Sequence, residues 1–133
     1  ARSRASEAAL PPVKRWAGSS IARTARAMPD ATMAMCAYAS RRWRDESGAV
    51  LRALRTWEAP PRPDCPVLFV VGGADEDMPA ASQIAWAADW QASTRVYAGA
   101  SHLGPLLGES APQASRDVAL WLEGVFRGSV GAP

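Results

Sequence analysis

The sequence predicts an α/β chain: a helical segment over residues 1–60, then the C-terminal part of a mostly parallel sheet over residues 61–133. Three observations carry that expectation. Helix-capping residues and helical spacing dominate before residue 60. The segment Pro60-Pro61-Arg62-Pro63 then breaks the pattern as a linker. After it, a wholly apolar, β-rich run from Pro66 to Val71 ends in two glycines, and helix and strand signals alternate from there.

In the first half, Ser19 or Ser20 can cap a helix running toward Met28, where Pro29 interrupts. Asp30 is placed to cap a second helix carrying Met33, Cys36 and Ala37, ending in basic residues through Arg44. Asp45 or Ser47 opens a third, with Val50, Leu51, Leu54 and Trp57 on one face.

In the second half, Val67–Val71 is apolar on both faces, as a strand buried inside a parallel sheet must be. Pro79 suits a first helical position, and Ala81, Ile84, Ala85 and Ala88 form a stripe behind it. Trp86 and Trp90, one turn apart, read as packing or partner surface rather than a ligand stack. Thr94 to Ala98 is a second strand. Ser110 caps a last helix with Val118, Trp121, Leu122 and Val125 on one face. A strand, a crossover helix and a second strand imply adjacent parallel strands. Two such strands cannot cover themselves, because sheets of this kind hold about five or more. The chain therefore reads as part of a larger α/β domain.

Composition narrows the function. Hydrophobic residues make up 48% and charged residues 21%, which is globular rather than disordered. The longest apolar run is far too short to span a bilayer. No signal-peptide pattern is visible, which favours a cytoplasmic location, although the chain begins with Ala1 rather than Met. Residues 1–60 carry eleven basic and five acidic side chains, and residues 61–133 carry four and eight. Arg41, Arg42 and Arg44 beside Trp43 are the nearest thing to a nucleic-acid surface; without a supporting motif they read as a solvated or interdomain face. Cys36 and Cys65 lack metal-ligand spacing and read as unpaired, partly buried thiols, with a single disulfide as the alternative.

The only histidine, His102, stands in the loop Gly99-Ala100-Ser101-His102 after the second strand. The first strand delivers Gly72-Gly73-Ala74-Asp75-Glu76-Asp77 at the same edge. Chemistry in open α/β sheets collects where loops leave the carboxyl ends of strands. Adjacent parallel strands would set these loops side by side, so that an aspartate could fix an imidazole tautomer and leave the other nitrogen as a base. Asp75 is the favoured acid and Asp77 the alternative, which could instead cap the following helix. An Asp75-x-Asp77 cation site lacks an evident third ligand, and no cofactor is expected.

Residues 64 to 127 resemble the C-terminal end of the α/β-hydrolase family: apolar strand, G-x-x-D-x-x-x-P, helix, strand, G-A-x-H-L, helix. Matching the family's pattern, Gly72 and Pro79 place its triad acid on Asp75, and its triad histidine falls on His102, in the chain order Ser, Asp, His. The resemblance implies a serine-type hydrolase of an ester, lactone or related acyl bond. Residues 1–60 sit where the family often inserts a lid, and their Met and Trp content suits an acyl- or aryl-binding wall. The nucleophile elbow is absent: no G-x-S-x-G, G-x-C-x-G or G-x-D-x-G occurs. The nearest decoys are Ala17-Gly18-Ser19-Ser20-Ile21 and Ser101, the latter read as a turn residue. The expected partners are a small acyl substrate and the missing N-terminal half or a complementary chain, with no nucleic acid and no membrane span. The alternative is a non-catalytic fragment or interaction module.

Overall fold

A computed structural model describes residues 12–54 and 60–130. Residues 1–11 of the expected lid, and Trp57 of its third helix, lie outside them. After the linker, strand β3 (Leu68–Gly72) runs into helix α4 (Ala80–Asp89), which crosses over to strand β4 (Ser93–Tyr97). The two strands pair in parallel, Leu68 opposite Ser93 through Gly72 opposite Tyr97. A four-residue helix, α5 (Gly104–Leu107), not expected from the sequence, follows the histidine loop. The long helix α6 (Ala111–Val130) comes after Ser110; the Ser110 hydroxyl is buried without a partner, so the expected side-chain cap is not made.

The sheet is smaller than the expected fold. Among the described residues there are two sheets of two strands each, and only one of them is parallel. The other is an antiparallel pair, β1 (Val13–Lys14) with β2 (Glu46–Ser47), inside the segment expected to be all helix. Two-residue ladders leave no periodicity in a sequence, which is why this one was not anticipated.

Helix α4 departs most clearly from expectation. The stripe Ala81, Ile84, Ala85 and Ala88 is exposed, whereas Ala87 is buried and Gln83, Trp86 and Trp90 are half-buried. The large aromatics decide the rotation. Trp86 and Trp90 pack edge-on against Phe69 of β3 with ring centroids 5.6 and 5.8 Å away, an arrangement that alanines cannot match in buried area.

The helical segment follows the expected order with shorter elements. Helix α1 (Ile21–Ala27) is capped by Ser20, whose hydroxyl accepts from the Arg23 N–H at 3.2 Å. Helix α2 (Met33–Ser40) is capped by Thr32 rather than Asp30 and stops four residues before Arg44. Asp30 is drawn inward instead: its carboxylate lies against Gly104 and is buried without a hydrogen-bond partner among the described residues. Helix α3 (Gly48–Leu54) follows Ser47, whose hydroxyl accepts from Val50 N–H at 3.4 Å, but Val50 and Leu54 are exposed. Asp45 accepts instead from the backbone N–H groups of Trp16 and Ala17, both at 2.9 Å.

Met28, Cys36 and Ala39 form a small buried core, against which Trp43 of the same segment and Leu103 and Leu107 of the second half are packed. The helical segment is thus docked onto the loop that carries His102. Cys36 is buried and Cys65 exposed, both unpaired. No helix of the described residues is long and apolar enough to cross a membrane.

Candidate active site

The two strands end side by side, and their loops are stitched together by the backbone. Gly73 N–H donates to Tyr97 O at 2.8 Å, and Ala74 N–H donates to Ala100 O at 2.9 Å. This approach requires glycine. A Cβ at Gly72 would collide with the carbonyl oxygens of Ser101 and Ala100, and one at Gly73 with the backbone of Ala98. The glycine pair that closes the apolar run therefore lets the Asp75 loop rest directly on the His102 loop.

Asp75 is 8% exposed, and its carboxylate is fully engaged. Oδ1 accepts from the N–H groups of Asp77 at 2.9 Å and Met78 at 2.8 Å. Oδ2 meets His102 Nδ1 at 2.9 Å and accepts from Gln83 Nε2 at 3.1 Å. Burial alone would push this carboxyl up, but the Met78 N–H, the His102 imidazole and the Asp77 N–H together outweigh it and hold Asp75 below the ordinary carboxylate value. An ionised carboxylate only accepts hydrogen bonds, so the neutral imidazole must carry its proton on Nδ1. That leaves Nε2 with a bare lone pair.

Both sequence-predicted site residues are thus brought together, and the acid in contact is Asp75. Asp77 is exposed, and no side-chain bond caps α4, whose N-cap is Pro79. Asp75, Asp77 and His102 do offer ligand atoms within 4.8 Å of one another, so His102 is the third donor that the sequence alone did not reveal. With four hydrogen bonds already filling the Asp75 oxygens, the arrangement reads as an acid orienting an imidazole.

The His102 side chain is 41% exposed and lines a cleft of about 400 Å³ between the two halves of the chain. Trp16, Trp43, Met78 and Leu103 supply its apolar wall. Both indoles are held by their N–H groups, Trp16 on Glu46 at 2.7 Å and Trp43 on Thr24 at 2.9 Å. Trp16 and Trp43 of the helical segment therefore line the cleft, whereas its methionine comes from the acid loop; Met28 of that segment is spent in the core. Arg23 and Arg44 also face the cleft, and Arg42 stacks on Tyr38 at 3.5 Å, so the basic cluster is divided among different tasks.

Among the described residues no hydroxyl or thiol is bonded to Nε2. Ser101 Oγ, next to His102 in the chain, is buried without a partner among the described residues, and so is Ser19 Oγ on the cleft wall. Ser19 lies in Ala17-Gly18-Ser19-Ser20-Ile21, which lacks the flanking glycine spacing of a nucleophile elbow. Gln83 was not anticipated at all: an amide on a helix carries no signature, and only its position one turn into α4, eight residues after Asp75, could have suggested it. No family model, curated protein or solved structure matches the chain.

Proposed function

We propose that this chain is the acid- and base-bearing half of a serine-type hydrolase of the α/β-hydrolase kind, acting on an ester, lactone or related acyl bond. The observation that carries the reading is the 2.9 Å contact between buried Asp75 and His102 Nδ1 at the adjacent ends of two parallel strands, with Nε2 left bare beside an apolar cleft. In this reading Nε2 takes the proton of an attacking hydroxyl and returns it to the leaving group, while Asp75 stabilises the imidazolium between the two steps. The walls of Trp16, Trp43, Met78 and Leu103 suit an apolar acyl or aryl group. In this reading the nucleophile and the oxyanion donors are supplied from outside the described residues.

The second reading, a non-catalytic module, is favoured by one observation: no described hydroxyl engages Nε2. Turnover of an activated ester separates the two. The 133-residue chain alone should be no faster than free imidazole at equal concentration, whereas the complete protein should turn over with saturation. A complete protein that binds such esters yet never cleaves them would leave the module reading standing. Saturable hydrolysis by the isolated chain that survives Ser101→Ala would show a nucleophile within these residues.

A further inference from the structure

Gln83 shares with His102 the one carboxylate oxygen on which the base depends. Its Nε2 donates to Asp75 Oδ2 at 3.1 Å and to Met78 O at 2.6 Å, while Met78 N–H donates to Asp75 Oδ1 at 2.8 Å. Both partners of Nε2 are acceptors, so the orientation of the amide is determined: its two hydrogens point at Asp75 and Met78. The result is a closed ring, carboxylate to backbone to amide and back to carboxylate, anchored on the first turns of α4 (Ala80–Asp89).

We propose that Gln83 is a positioning residue, which locks the Asp75 carboxylate against His102 and, by drawing on the same Oδ2, weakens that oxygen's hold on the imidazole proton. A hydrogen bond to Oδ2 disperses the charge that would otherwise stabilise the imidazolium. The other charged groups near the ring are Asp77, which is exposed beside it, and Arg23, Arg44 and Glu46 on the cleft wall; the Gln83 amide is bonded to Asp75 and Met78 and to none of these. The inference rests on the acid–base reading of the site, but its test needs no turnover.

Because His102 is the only histidine, its ring resonances in the labelled 133-residue chain are assigned by count. The ring should titrate from the Nδ1–H tautomer. Gln83→Met, which keeps the length and removes the donor, should raise the His102 midpoint by about half a pH unit. Gln83→Lys, which replaces the amide with a cationic donor, should lower it by about one unit. In the unmodified chain the Gln83 side-chain amide resonances should move with the same midpoint as the ring, which keeps the test decisive should a variant fail to fold. A merely structural glutamine predicts otherwise: both variants would shift the midpoint in the same direction or not at all, and the amide would ignore the His102 titration. Either result overturns the proposal. Loss of ester turnover by the complete protein, with these shifts intact, would instead count against the hydrolase reading alone.

Discussion

At the scale of single residues, Asp75 decides the chemistry of the site, and its ionisation is tied to the fold. Its folded value lies below that of an unfolded carboxyl, so the ionised form is favoured by folding. That contribution is fully present above about pH 4, the unfolded value, and is lost as pH falls through the lower folded value. Asp75→Asn should therefore flatten the acid limb of the stability curve, measured by urea unfolding at a series of pH values. The same variant places an amide donor against Nδ1–H, so His102 should switch to its Nε2–H tautomer, visible in the ring nitrogen shifts. A hydrolase carrying the wrong tautomer would lose roughly 10⁴-fold in rate. Asp75 and His102 were legible in the sequence because local punctuation marks them: glycines before, a proline after, and the only imidazole in the chain. Gln83 was not, since its role exists only once α4 folds back over the acid.

Among the elements, the parallel pair β3 and β4 was legible because an apolar run bounded by proline and glycine leaves few alternatives. The face of α4 was not: three alanines and one isoleucine at helical spacing suggested one rotation, and two tryptophans seated on Phe69 impose another. The approach of the two loops yields a direct prediction. Gly72→Ala drives a methyl group into backbone carbonyls that cannot retreat, and should cost about 2–3 kcal/mol in chemical unfolding. A cost near zero would mean that the loops are not packed as described. The join between β4 and α6 has its own probe. Tyr97 donates to Asp117 Oδ2 at 2.8 Å, and burial followed by that bond and the aspartate's charge pushes its phenol up to about 12. The neutral phenol is the form that folding favours, so its contribution holds below about pH 10 and is lost as pH rises through about 12. Ultraviolet titration should show this late-ionising tyrosine, and Asp117→Asn should bring it earlier.

For the whole molecule, the helical segment and the βαβα unit meet through Leu103, next to His102, and Leu107, one turn further on, so the helical segment and the histidine loop share packing. Docking of this kind depends on long-range contacts that no local pattern encodes. The sequence did reveal that two parallel strands would be left short of cover. Leu106, Leu120 and Phe126 are 72%, 66% and 66% exposed, and the β3–β4 pair has no further strand at either edge among the described residues. Such surfaces associate. Sedimentation of the isolated chain should show mass rising with concentration, reduced by Leu120→Ser with Phe126→Ser; a compact monomer at all concentrations would contradict the expectation of a missing complement.

In the proposed hydrolase, His102, oriented by Asp75, is the base. The most direct measurement of that role is the rate of activated-ester hydrolysis by the complete protein before and after His102→Ala. Loss of the base should lower kcat by roughly 10⁴- to 10⁶-fold and leave KM nearly unchanged, because the cleft walls remain. A His102→Ala protein that keeps its kcat within about tenfold, too small a loss for a general base, would contradict the account.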